Sequence, residues 1–226
     1  MAQLQWVQTS APSNYWSSIA CSANGTTLIA AGGYADGGIS GGIYISTNSG
    51  ITWFETSAPT NVAWNSVASS WDGVTLVAAA TAFFTPGIYI STNSGVNWKT
   101  ASVPTFEYPI SVVASSGNGA TLAAAIFDDG TSTCYIYIST NSGVTWIQSA
   151  APSSQLTSIT LSANGSKIVV GEAGDIYGNG SILISTNSGR TWTQTSGPGT
   201  SGQIASSADG TKLALAGGAY VYTLLC

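Results

Sequence analysis

The sequence contains no histidine, one arginine (Arg190) and three lysines (Lys99, Lys167 and Lys212). Charged residues make up 6% of the chain, against roughly a quarter in an average soluble domain. Each shortage excludes something. Without an imidazole there are no Ser–His–Asp or Cys–His centres and no histidine metal sites. Four cations scattered over 226 residues cannot form the basic footprint that nucleic acid requires, so no nucleic-acid partner is expected. The three cysteines, Cys21, Cys134 and Cys226, lie far apart and lack paired metal spacing. Two are expected to be buried and one terminal, with Cys226 placed to join two chains into a homo-oligomer. No apolar run is long enough for a membrane span; Leu76 to Phe84 is among the longest. The first cation is Lys99, so the start has no basic region of a secretory signal, which suggests a cytoplasmic, non-classically secreted or already processed chain. Nothing calls for a cofactor or a metal.

What is present is repetition. Ile-Ser-Thr-Asn-Ser-Gly-x-x-Trp occurs at Ile45 to Trp53, Ile90 to Trp98, Ile138 to Trp146 and Ile184 to Trp192. Trp6 opens the chain in the context that follows each of these segments. The tryptophans are spaced 47, 45, 48 and 46 residues apart, which makes five tandem units in a single domain over residues 1–226. Each unit carries four strand signals. In the first, Trp6 to Thr9 alternates, Ser17 to Ser22 follows a proline stop, and Asn24-Gly25 reads as a two-residue hairpin turn with positive φ. Thr27 to Ala31 returns, and Ile43 to Ser46 leads through Asn48–Gly50 into Thr52 to Glu55. The Asx–Gly pair recurs at Asp72-Gly73, Asn118-Gly119, Asn164-Gly165 and Asp209-Gly210. No window has a helical period.

Four-stranded antiparallel units repeated radially predict an all-β, five-bladed β-propeller. The two ends favour a ring over an open solenoid. The chain starts with the strand that normally follows the Asn-Ser-Gly turn, and it ends with Ala219 to Leu225, which matches the strand before that turn. Pairing of Gln3 to Thr9 with Ala219 to Leu225 would complete the last blade and hide two sheet edges.

The repeated segment resembles the box of Asp-box (BNR-repeat) propellers, Ser-x-Asp-x-Gly-x-Thr-Trp. Here it stands as Ser91-Thr92-Asn93-Ser94-Gly95-Val96-Asn97-Trp98, and Ser139 to Trp146 is closer because of Thr145. All four boxes carry asparagine (Asn48, Asn93, Asn141, Asn187) where that family usually has aspartate. The resemblance implies a structural box. A short side-chain oxygen takes backbone N–H groups, glycine takes positive φ, and tryptophan packs between blades. In size and blade number the chain also resembles tachylectin-type five-bladed lectins.

In such a blade, with strands A to D from the hub outward, the A–B and C–D turns share one face. The B–C loops and D–A connections share the other. The first face is monotonous here; the second varies, which is where function usually sits on a rigid scaffold. Its D–A connections carry Asn14, Tyr15, Trp16, Asn61, Trp64, Phe106, Glu107, Tyr108 and Gln155. Its B–C loops carry Tyr34, Asp36, Phe83, Phe84, Phe127, Asp128, Asp129, Glu172, Asp175, Tyr177 and Asn179. Aromatic rings beside carboxylates and amides suit a sugar, whose C–H face stacks while its hydroxyls donate. The candidate carbohydrate-binding residues are Trp16, Tyr34, Asp36, Trp64, Phe84, Glu107, Tyr108, Asp128, Asp129, Asp175 and Tyr177. Inter-blade packing is the competing role for Trp16 and Trp64, and a solvated turn for Asp128 and Asp129.

Three functions compete: a non-catalytic lectin for glycans or glycoproteins, a protein-interaction scaffold, and a neutral-sugar glycosidase. The resemblance also brings sialidases to mind, but these hold the substrate carboxylate with an arginine cluster, and Arg190 stands alone inside a box. A glycosidase needs two carboxyls roughly 5–10 Å apart. Glu107, Asp128, Asp129, Glu172 and Asp175 supply candidates, but no spacing marks a pair. The sequons at Asn24, Asn164 and Asn179 and the glycine pairs at 37–38 and 41–42 point to no further chemistry.

Overall fold

Two turn motifs per unit fold each stretch of about 46 residues into one sheet. The computed structural model describes residues 5–35, 38–39, 41–60, 62–81, 87–104, 110–128, 133–151, 156–172, 180–196, 202–217 and 220–225. The first blade is β1 (Trp16–Cys21), β2 (Leu28–Gly32), β5 (Ile43–Ser46) and β6 (Phe54–Glu55), with a small ribbon, β3 (Tyr34–Ala35) and β4 (Gly38–Ile39), set between β2 and β5. The second is β7 (Ala63–Ser69), β8 (Leu76–Thr81), β9 (Gly87–Ser91) and β10 (Lys99–Thr100). The third is β11 (Ile110–Ser115), β12 (Leu122–Asp128), β13 (Thr133–Ser139) and β14 (Ile147–Gln148). The fourth is β15 (Leu156–Leu161), β16 (Ile168–Glu172), β17 (Ser181–Ser185) and β18 (Thr193–Ser196). The fifth is β19 (Gly202–Ser206), β20 (Lys212–Gly217) and β21 (Tyr220–Leu225). All ladders are antiparallel. The molecule is an all-β, five-bladed propeller.

The second strands of the second and third blades read as continuous apolar runs because they are covered on both sides. Leu76 to Ala80 and Leu122 to Ile126 are buried throughout. Four of the seams between blades hold apolar clusters of their own. Ile29, Ala31 and Ile43 of the first blade meet Trp64, Val67 and Leu76 of the second. Similar clusters join the second to the third, the third to the fourth and the fourth to the fifth blade.

The box works as its residues suggest. Ser46 Oγ accepts from Gly50 N at 2.9 Å and donates to Asn48 Oδ1 at 3.0 Å, while Asn48 Oδ1 accepts from Thr52 N at 2.9 Å. Ser49 and Gly50 both take positive φ, 58° and 86°. Three of the box tryptophans, Trp98, Trp146 and Trp192, pack on successive seam clusters. The Asx–Gly turn departs from the two-residue hairpin. Ser22 N donates to Thr27 O at 2.8 Å, Gly25 N to Ser22 O at 3.0 Å, and Asn24 Oδ1 accepts from Thr26 N at 3.0 Å. Gly25 has φ 69° and Asn24 does not share the positive sign. The side chains of Ser22 and Asn24 supply bonds that a tighter turn would forgo, so the wider turn wins.

These turns also join the blades. Ala23 N donates to Trp71 O, Trp71 N to Gly117 O, Gly117 N to Ala163 O, and Ala163 N to Ala208 O, all at 2.7–2.8 Å. The chain enters this frame in register. Ser10 Oγ donates to Ile51 O as Ser57 Oγ does to Val96 O, and Ala11 N meets Thr9 Oγ1 as Ala58 N meets Thr56 Oγ1. The segment before Ser10 therefore leaves from the place of an outer strand. The expected pairing with Ala219 to Leu225 is not made among the described residues: the fifth sheet has three strands, residues 5–9 form none, and Trp6 is fully exposed.

Candidate functional site

The residues expected to bind on the loop face divide into three groups. Trp16 begins β1, is 39% exposed, and meets Tyr44 edge-on at 5.5 Å. Trp64 is withdrawn from the surface, contrary to its reading as a contact. It is 1% exposed, sits edge-on to Tyr89 at 5.1 Å and packs on the first blade, so the inter-blade role wins. Asp128 ends β12 half-buried, with a partner of its own. Tyr34 lies in the β3–β4 ribbon. Its side chain, and Asp36, Phe84, Glu107, Tyr108, Asp129, Asp175 and Tyr177, lie outside the described residues. Glu172 is buried at the end of β16, near Cys134. Burial pushes the Cys134 thiol up, only partly offset by the Leu156 N–H that donates to its sulfur at 3.2 Å.

Cys21 departs from expectation: it is exposed, because none of the described residues covers its side of β1. Among the described residues no three Cys, Asp or Glu side chains come together to hold a metal ion.

The hub is polar. Ser17, Ser18, Asn65, Ser66, Val112, Leu156, Thr157 and Gln203, drawn from the innermost strands of all five blades, line one cavity of about 540 Å³. Several of its hydroxyls are already committed to binding neighbouring blades. Ser18 Oγ accepts from Val67 N at 3.1 Å, Ser66 Oγ from Val113 N at 3.2 Å, and Ser17 Oγ reaches Trp64 O at 2.7 Å.

The better candidate lies on the outer rim of the box face, at the seams. Between the second and third blades, Ile90, Thr92, Asn97, Lys99, Thr100 and Ser102 face Ser142, Gly143 and Val144 across a cavity of about 560 Å³. Between the third and fourth, Ile138, Thr140, Thr145, Ile147, Gln148 and Ala150 face Ser188, Gly189 and Arg190 across about 340 Å³. Position by position these are the same groove. Each has a buried isoleucine (Ile90 or Ile138), a wall of hydroxyls and amides, and two lips formed by the residue after the box tryptophan and the residue after the next box glycine. The corresponding lips between the first and second blades are Phe54 and Val96, both well exposed. On the opposite side of the outer strand that carries Phe54, burial and the carboxylate of Glu55 raise the Tyr44 hydroxyl pKa.

Sequence reasoning passed over this groove because it took the box as purely structural. The constant box nevertheless frames two variable positions: Ile51, Val96, Val144 and Arg190 after the glycine, and Phe54, Lys99, Ile147 and Thr193 after the tryptophan. Variation inside an otherwise fixed frame was the available signal.

No family model matches the chain, and no curated protein matches it. Solved structures do. The GH74 enzyme of Niastella koreensis aligns with 92% of this chain and 45% of its own at 15% identity, TM-score 0.59. The GH74 xyloglucanase of Xanthomonas campestris aligns with 92% of this chain and 44% of its own at 10% identity, TM-score 0.57. A chain of the nidogen/laminin complex is covered over 75%, with 93% of this chain, at 12% identity and TM-score 0.65. The likeness is one of fold. The chain spans less than half the length of these two GH74 enzymes.

Proposed function

We propose that this propeller is a non-catalytic carbohydrate-binding protein with several similar shallow sites. The observation that carries the reading is the recurrence of one groove at successive seams, with an apolar floor and hydroxyl and amide walls. A saccharide presents the complementary surface, C–H patches between ring hydroxyls, and each weak site gains from its neighbours when a polymer spans several. The aromatic and acidic loop-face residues Trp16, Tyr34, Asp36, Phe84, Glu107, Tyr108, Asp128, Asp129, Asp175 and Tyr177 supply a second set of contacts in this reading; Trp64 does not. The box hydrogen bonds support kinship with Asp-box propellers. The sharing of the fold with glycan-acting GH74 enzymes is compatible with a sugar ligand.

A protein-docking scaffold is the second reading. It is favoured by the exposed apolar side chains around the box rim: Ile51, Phe54, Val96, Val144 and Ile147. A glycan array with the intact protein separates the two. Binding to a defined group of glycans supports the first reading, and a blank array across neutral, amino and acidic sugars overturns it.

A further inference from the structure

The chain has four cations, and two of them stand at the described seam grooves. Lys99 is on the outer-strand lip of the groove between the second and third blades, with Val144 opposite. Arg190 is on the box lip of the groove between the third and fourth, with Ile147 opposite. The cation changes sides, yet each groove ends with one cation facing one exposed aliphatic group. Both cations are exposed, and neither has a hydrogen-bond or ion-pair partner among the described residues. Lys167 shows the alternative fate, since its Nζ donates to Gly210 O at 2.7 Å. In a protein of net charge -5, unpaired cations at the same two grooves form a local reversal of sign. The preceding seam has no cation on its lips, which are Phe54 and Val96.

We propose that the grooves between the second and third and between the third and fourth blades bind an acidic saccharide. This rests on the carbohydrate reading and names its ligand class. The carboxylate or sulfate group of a sugar pairs with Lys99 or Arg190. The hydroxyls reach Thr92 and Asn97 in one groove and Thr140 and Thr145 in the other. The aliphatic C–H face lies on Val144 or Ile147. Arginine offers a forked pair of donors and lysine a point charge, so the fourth-blade groove is the more exacting of the two. Adjacent seams place the two sites along one rim, where a linear acidic polymer of sufficient length engages both at once.

The test uses calorimetric titration of the full chain with three oligosaccharides of matched length, one neutral, one uronate and one sulfated, at low and high salt. The expected result is preferential binding of one or both acidic oligomers, weakened by salt. The double variant K99Q/R190Q is expected to lose about tenfold or more in affinity for them, with its melting curve and neutral-sugar binding unchanged. Glu55→Gln, a charge change beside Tyr44 and away from both grooves, is expected to leave acidic binding intact. Preference for uronate or for sulfate identifies which anion the grooves read. Equal affinity for neutral and acidic oligomers, or unchanged acidic binding by K99Q/R190Q, overturns this proposal while leaving the carbohydrate reading standing. Failure to bind any glycan on the array overturns both.

Discussion

Trp16 and Trp64 hold the same place in consecutive blades. Each stands within the first two residues of the innermost strand, each precedes a bulge in the ladder to the next strand, and each meets the tyrosine of Ile-Tyr-Ile-Ser edge-on. Their exposures are 39% and 1%. Three positions on, Ile19 is largely exposed and Val67 buried. Local sequence is not the cause, since the two sites are nearly alike. The difference is that the first blade covers Trp64, whereas nothing described covers Trp16. The fifth blade tells the same story from the other side. Ala205, Ala216 and Val221 are exposed, while their counterparts in the third blade, Ala114, Ala125 and Ile136, are buried. The turn-to-turn chain of backbone bonds also stops at Ala208 among the described residues. Burial in this fold is therefore a property of seams. Four are sealed; the fifth, between the last blade and the first, presents two faces of sealed composition, without an apolar cluster of described residues between them.

Mutating the paired tryptophans tests this directly and gives the largest expected effect. Trp64→Ala removes a fully buried ring and should destabilise by about 3 kcal/mol, the low end for such a truncation. It falls low because the indole N–H has no partner among the described residues, and deleting it removes a desolvation penalty. Trp16→Ala should cost less than about half as much, because much of that ring already faces water. Chemical denaturation of both variants measures the difference. Equal costs would mean that the fifth seam is as tightly sealed in solution as the other four.

Thiol accessibility sharpens the same contrast at smaller energetic stake. In a Cys226→Ser background, Cys21 on the open side of β1 should react promptly with a thiol reagent in the folded protein. Cys134, buried at the sealed third-to-fourth seam and with its thiolate disfavoured by that burial, should react only on unfolding. Comparable protection of both would place a covering surface over β1.

Much of this architecture was legible because the repeat carries its own turn chemistry. Asn48, Ser46 and Gly50 state where a hairpin closes, and tandem spacing states how many times. The polar hub and the sealed seams follow from that count. The fate of Trp16 was not legible, because the same residue in the same frame is core or surface depending on a neighbour that lies at the other end of the chain. The grooves were hidden for the opposite reason. Thr92, Thr140 and Arg190 are unremarkable in sequence and line a groove only when the outer strand of one blade meets the box of the next. Of the expected loop-face residues, Trp64 takes the packing role that the sequence left open beside binding, since an aromatic residue near a strand start can point inward as readily as outward.

The smallest effect lies in the inter-blade turns, where aspartate replaces asparagine twice. Asp209 Oδ1 accepts from the Ser207 hydroxyl at 2.6 Å, Thr211 N at 3.0 Å and the Thr211 hydroxyl at 2.8 Å. These bonds, the Ser207 hydroxyl foremost, lower its carboxyl to about 2 from an ordinary 3.8. Asp72 is lowered in the same direction by Ser70 and the Val74 N–H. A carboxyl depressed by folding stabilises fully above its unfolded value and loses that contribution as pH falls through the folded one. Stability should therefore decline as pH falls from about 4 toward about 2, with Asp209 contributing to the decline. Asn118 and Asn164 make the corresponding contacts without charge. Asp209→Asn should thus keep the turn, leave neutral-pH stability nearly unchanged and flatten the acid limb of the melting-temperature profile. An acid limb identical to that of the parent protein would show that the carboxylate at the fifth-blade turn adds nothing that the amide at the third and fourth does not.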